Sequence, residues 1–217
     1  MQLAQAIRAA MVLRLCAALV VVATALVSPP AGTIGIAVCV AALACLPLRL
    51  SGPWGPFAGM NGAEHLLSAT VLALAPTYLL GTGPALAAAL GFVAFRALSE
   101  YASAGLTKLG DFRGWVSGRN LVLVFSSGAY GFRHLARVLR RWPTLAGMAS
   151  VGVIGIEVAV PISILLPAPW TEHALALAFL FHLATGVFMG LNTFALAFAA
   201  TFPAVLWLRD AMQVWIG

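Results

Sequence analysis

Charge is scarce in this chain. Only 8% of its 217 residues are Asp, Glu, Lys or Arg, against 62% hydrophobic residues. Soluble domains carry about 25% charged residues. A water-facing surface cannot be built from so few, whereas lipid solvates apolar side chains directly, provided that the backbone satisfies its own hydrogen bonds in helices. Cysteine is also scarce. Cys16, Cys39 and Cys45 are odd in number, lie in apolar stretches and form no CxxC pair. This pattern excludes a disulfide framework and argues against a thiol-based membrane oxidoreductase, leaving the cysteines as small apolar fillers. There is no HxxxH, HxxE or Cys/His cluster for a metal, no phosphate-binding glycine loop and no nucleophile elbow. Lysine is nearly absent: eleven of the twelve basic residues are arginine and Lys108 is the exception. The formal net charge of +6 is placed between apolar runs, which points to membrane topology and lipid headgroups rather than to nucleic acid.

What is present is a series of long apolar runs. They predict an all-α polytopic membrane protein, a single helical domain over 1–217, with spans at about 15–27, 32–48, 64–80, 84–109 and 145–166. The stretch 172–208 is long enough for two more, broken at Gly190-Leu191-Asn192, so the expected bundle has about seven spans. The first run also has the features of a signal peptide, but the next span begins at once after Ser28-Pro29-Pro30-Ala31, as in a hairpin. The segment 111–142 differs. Its apolar piece from Arg119 to Phe125 is too short to cross a bilayer, and Arg133, Arg137, Arg140 and Arg141 recur at helical spacing, so it is expected to lie along the interface. Arg8, Arg14, Arg49 and the Lys108–Arg141 group fall on alternate connections and would mark the cytoplasmic side, with Arg209 the dissenter.

Ionisable groups inside spans are costly and need a reason, at roughly 2.5–3.5 kcal/mol each at a helix centre. They are His65, Arg96, Glu100, Lys108, Glu157 and His182. Arg96 and Glu100 are four residues apart and can pair. Tyr101, Ala104 and Lys108 share a helix face, and the small Ala104 and Gly105 permit close approach of another helix or a flat ligand. Lys108 reads either as a snorkelling lysine at a helix end or as a functional amine. A lysine can lose its proton in an apolar site, whereas an arginine effectively cannot. Glu157, deep in its span, must be protonated or paired, and His182, mid-span, is the first physical candidate to partner Glu157 or Lys108. Glu172 and His173 read as solvated at a membrane edge.

The segment Tyr101-Ala-Ser-Ala-Gly-Leu-Thr-Lys-Leu109, followed by Trp115-Val-Ser-Gly118, resembles the Tyr…Ala-Gly…Lys-Leu…Trp…Gly signature of the horizontally transferred transmembrane family. That family comprises the membrane domain of vitamin K-dependent γ-glutamyl carboxylase and its bacterial relatives. Glu64-His65-Leu-Leu is similar to its Asn-His motif, with Glu replacing Asn. Phe181-His182, Phe194 and Phe202-Pro203 resemble its late His…Phe motif, so the resemblance covers about residues 60–205. It implies a quinol oxygenase: Lys108 and His65 catalytic, with Glu64, Tyr101, Trp115, His182 and Phe194 at the substrate, where the intramembrane Glu157 is also expected. The substrates would be O₂ and a lipophilic hydroquinone drawn from the bilayer, with no tightly bound cofactor and no metal. Because the chain stops at Gly217, where the carboxylases continue into a large soluble portion, glutamate carboxylation is not expected without a partner subunit. The setting implied is a bacterial cytoplasmic membrane. The competing reading is a non-enzymatic membrane component for peptide or toxin maturation, export or immunity. A transporter would show repeated halves, and none is evident.

Overall fold

The computed structural model describes residues 62–80, 83–128 and 131–216, and among them every regular element is an α-helix. The expected spans at 15–27 and 32–48 lie outside the described residues. In chain order the helices are α1 (Gly62–Leu80), α2 (Gly83–Gly110), α3 (Phe112–Val116), α4 (Arg119–Ser126), α5 (Arg133–Arg141), α6 (Pro143–Ser163), α7 (Trp170–Met189), α8 (Asn192–Ala199) and α9 (Phe202–Ile216). The chain divides into two compact units, residues 1–93 and 94–217.

Four described stretches are long and apolar enough to cross a membrane: Gly83–Gly110, Pro143–Ser163, Trp170–Met189 and Thr193–Trp215. The protein is therefore an all-α membrane protein; of the five spans expected among the described residues, four are long and apolar enough. α1 is not one of the four, because its apolar part among the described residues, His65–Leu74, is too short. Within the first unit α1 buries Ala63, Leu66, Ala69, Ser68 and Thr70. The Thr70 hydroxyl is satisfied by donating to the Leu66 carbonyl one turn back, at 2.9 Å.

The spanning helices of the second unit are built with their bulk outward. α6 buries Ala146, Gly147, Ser150, Ile154, Glu157, Val160 and Ser163, a stripe at three- and four-residue steps made mostly of small or polar side chains. Its exposed positions include Leu145, Met148, Val151 and Ile162. α7 repeats the arrangement, with Ala174, Ala178 and His182 inside and Leu177, Leu180, Leu183 and Val187 outside. In water this would be the wrong way round. In hydrocarbon it is stable, because large apolar groups lose nothing by facing lipid while small residues let backbones approach and pack.

Both breaks in the last third of the chain have local causes. Gly190 adopts the left-handed region at φ 71° and ends α7, as expected from the sequence. The second break, between α8 and α9, was not expected. Pro203 sits at the second position of α9, has no N–H to continue a ladder, and so marks a new helix start. The Thr201 hydroxyl donates to the Phe198 carbonyl there at 2.7 Å.

The 111–142 segment forms three short helices, none able to span. Leu121 and Phe125 of α4, Ala136 and Leu139 of α5, and Ala146 of α6 make its core. Arg133, Arg137, Arg140 and Arg141 remain exposed on α5, as the spacing predicts. Two glycines are required where the segment meets α6. Gly118 has φ +75°, and a Cβ there would stand 2.4 Å from the Ala146 Cβ. A Cβ on Gly147 would stand 2.6 Å from the Val116 carbonyl oxygen.

Candidate functional site

α2 and α6 approach closely at Gly105, where a Cβ would lie 3.0 Å from Val158 Cγ2 and 3.4 Å from Glu157 Cβ. That approach sets Lys108, one turn further along α2, opposite Glu157. Lys108 Nζ donates to Glu157 Oε1 at 2.7 Å, with the lysine side chain 16% exposed and the glutamate 7%. The ammonium also reaches the Ala104 carbonyl at 3.4 Å and sits 5.1 Å from the centroid of the Trp115 ring. At that distance the negative face of the indole attracts a cation. Trp115 in turn packs on the α4–α5 core, tying the lysine to the short-helix segment. Glu157 Oε2 is buried without a hydrogen-bond partner. An unmatched buried carboxylate oxygen is costly to keep and is the atom to which an incoming hydroxyl could donate.

A second polar pair lies on the same face of α2, two turns towards its N-terminus, roughly 10 Å along the axis. The Tyr101 hydroxyl and His182 Nε2 are 2.9 Å apart and both residues are buried. The imidazole stacks on Phe198 at 4.2 Å and 18°, with Phe181 at 5.1 Å and Phe194 at 5.8 Å. Phe198 also meets the Tyr101 ring edge-on at 4.9 Å. His182 is thus boxed by aromatic rings, its one polar contact directed at Tyr101, and Nδ1 is buried without a partner.

Among the sequence-predicted residues, Tyr101, Lys108, Trp115, Glu157, His182 and Phe194 all fall in the second unit and make the contacts just described. His65 is exposed on α1, in the first unit, where Glu64 also lies. Two expectations are corrected, for His182 and Glu172, and one alternative left open, for Lys108, is decided. His182 does not partner Glu157 or Lys108: the carboxylate takes the lysine and the imidazole takes Tyr101, because each pair lies at its own level of α2. Lys108 is a paired, largely buried amine and not a snorkelling one. Glu172 is not simply solvated, since it accepts from Arg209 Nη1 at 2.7 Å. Arg209, which broke the charge asymmetry of the loops, is buried and also bonds Asp210 at 2.6 Å.

Arg96 and Glu100 pair along α2, as their spacing predicts. Sequence reasoning missed Phe198, the ring closest to His182. Its signal was available in the four-residue step from Phe194 to Phe198, which puts both rings on one face of α8. Among the described residues no three His, Cys, Asp or Glu side chains cluster as a metal site.

Fold and site together define a helical membrane protein with a buried Lys–Glu pair beside a Tyr–His pair. The chain matches no protein-family model, no curated protein and no solved structure.

Proposed function

We propose that this protein is a membrane-embedded hydroquinone oxygenase that converts a lipophilic hydroquinone and O₂ into a quinone epoxide and water. The observation that supports it best is the buried Lys108–Glu157 pair, covered by Trp115 and carrying an unmatched carboxylate oxygen. In this reading Lys108 passes a proton to Glu157 Oε1, 2.7 Å away, and so serves as the base. Lys108 then takes a hydroxyl proton from the hydroquinone, and the resulting quinolate sits against the ammonium. O₂ adds to the electron-rich ring. Rearrangement of the adduct leaves one oxygen as the epoxide and one as hydroxide, which recovers a proton and departs as water. A dry pocket protects such oxygen intermediates from quenching.

The resemblance at Tyr101–Leu109, Trp115 and Phe181-His182 gives the same assignment of roles. Lys108 is the base, with Tyr101, Trp115, His182 and Phe194 at the substrate beside Glu157, while the catalytic role of His65 and the substrate role of Glu64, both in the first unit, rest on the resemblance alone. The membrane is a bacterial cytoplasmic membrane, with the basic 111–142 segment on its cytoplasmic face. Carboxylation of glutamate is not part of the proposal.

One observation favours a second reading. A Lys–Glu pair that closes on itself can serve only to fix α2 on α6, as a non-enzymatic component for peptide maturation, export or immunity would need. The test separates the two. Purified protein in nanodiscs is incubated with reduced menaquinone-like naphthohydroquinones and O₂, and the epoxide is sought by mass spectrometry. The oxygenase reading expects epoxide from wild type and none from the folded double variant Lys108→Met/Glu157→Met. Folded wild type that gives no epoxide across a broad hydroquinone panel hands the protein to the second reading.

A further inference from the structure

The arginines of the short-helix segment pose a problem that the Lys108 site does not solve. Between Asp111 and Glu157 the chain holds six arginines and no carboxylate. Among the described residues the ion pairs are Arg96–Glu100, Lys108–Glu157 and Arg209 with Glu172 and Asp210, so none of those six arginines makes a direct ion pair, and Arg119 alone has an acid, Asp111, in its neighbourhood. They share their segment with exposed apolar groups: Phe112, Leu123, Phe132 and Trp142 are 39–61% exposed. Cations beside exposed aromatic and aliphatic side chains suit the headgroup level of a bilayer, where each finds its own solvent.

Within this surface lies a cavity of about 250 Å³. Arg119 and Arg140 line it together with Val122, Leu123, Leu139 and Ala146. Arg140 uses one N–H on the Ser126 hydroxyl at 2.9 Å, which fixes the side chain and leaves other donors of its fork uncommitted. Two arginines lining a cavity whose other walls are mostly apolar make an amphipathic receptor. The charges match a phosphate, which arginine binds bidentately, and the apolar walls match the methylenes attached to it. The size is that of a headgroup with the start of its chains, below the 300–1,000 Å³ usual for whole drug-sized ligands.

We propose that Arg119 and Arg140 hold the phosphate of an anionic phospholipid, whose proximal chain lies against Val122, Leu123 and Leu139. The lipid supplies the counter-charge that the segment lacks and seats α4 and α5 at the membrane surface.

Native mass spectrometry of the full-length protein in neutral detergent tests this, with palmitoyl-oleoyl phosphatidylglycerol or phosphatidylcholine titrated in. One retained phosphatidylglycerol is expected, at about tenfold or more over phosphatidylcholine, since each arginine near a headgroup favours an anion about fivefold. Arg119→Gln/Arg140→Gln should bring the two lipids level. Arg133→Gln/Arg137→Gln removes the same charge from the same segment and should change retention by less than about twofold. Because Arg140→Gln also releases Ser126, Arg119→Gln alone is measured as well, with about a fivefold loss expected. Millimolar inorganic phosphate should not displace the lipid. Equal retention of the two lipids overturns the proposal. So does equal loss in the two double variants, which would show a diffuse field instead of a site. Displacement by inorganic phosphate would assign the cavity to a soluble anion and overturn the lipid.

Discussion

The second unit handles charge in two opposite ways. Along its spanning helices every described cation is answered by a carboxylate of the same chain: Arg96 by Glu100, Lys108 by Glu157, Arg209 by Glu172 and Asp210. In the short-helix segment, 111–142, the ratio collapses, with six arginines against one acid, Asp111. Hydrocarbon offers no counter-ion and no water, so a charge placed there must bring its partner with it. At the headgroup level water and lipid phosphate are both at hand, and a cation can be left open. The whole chain's excess of +6 equals the six arginines of that one stretch, the remaining six basic and six acidic residues cancelling. Net charge is thus concentrated in the helices too short to span, while internal pairing marks the helices long enough to cross.

Breaking a pair inside a span gives the largest expected effect. Glu157→Ala leaves the Lys108 ammonium without its carboxylate, and Lys108→Ala leaves the carboxylate, so each should cost about 3–5 kcal/mol. Lys108→Met/Glu157→Met, which removes both charges and keeps the bulk, should fall within about 1 kcal/mol of wild type or above it. Unfolding of the purified protein in mixed micelles by increasing ionic detergent measures all three. Single variants as stable as the double would show that water reaches the pair, and the contrast between the two regions would fail at its centre.

The neutral pair on the same face is the next step down. Tyr101→Phe keeps the ring against Phe198 and removes only the hydroxyl, leaving His182 with no polar partner at Nε2 or Nδ1. The expected loss is about 1–3 kcal/mol in the same assay, the cost of one unmatched buried polar atom. A loss as large as that at Glu157 would mean that the Tyr–His contact carries charge, which would sharpen the distinction between the two levels of α2.

Much of this division was legible in the sequence. Apolar runs set α2, α6 and α7 close to their observed limits, the Gly190-Leu191-Asn192 break was visible, and four arginines at helical steps marked α5 as amphipathic. Arg96–Glu100 followed from helix geometry alone. The tertiary pairs were not legible. Glu157 had two candidate partners in Lys108 and His182, and the choice rests on where α2 and α6 touch. Gly105 decides that, by allowing a contact at the level of Glu157. Arg209 and Glu172 are 37 residues apart and were read as unrelated, because no local rule links the start of α7 to the middle of α9. Phe198 was passed over for a similar reason: its face is set only after the chain turns at Gly190.

The smallest predicted effect concerns Asp111, the acid that opens the short-helix segment, and it probes the water-facing side of the contrast. Its carboxylate accepts from Asn120 Nδ2 at 2.7 Å and from the Gly114 backbone N–H at 3.3 Å, joining the starts of α3 and α4. These bonds, the Asn120 one foremost, with Arg119 nearby as a lesser influence, hold the Asp111 carboxyl below its ordinary value of 3.8. The folded value is depressed, so the bonds stabilise the turn fully above the unfolded value and are lost as pH falls through the folded one. Acidification should therefore loosen the turn at 111–120 only below the usual carboxylate range. Amide exchange there should quicken while the α6 and α7 amides stay protected, because Asp111 is exposed and sits apart from the buried pairs. Asp111→Asn should flatten that pH dependence and leave the detergent midpoint of the spans unchanged. If instead the spans and the turn loosen together in acid, the short-helix segment shares one cooperative unit with them, and the two treatments of charge are not separable in energy.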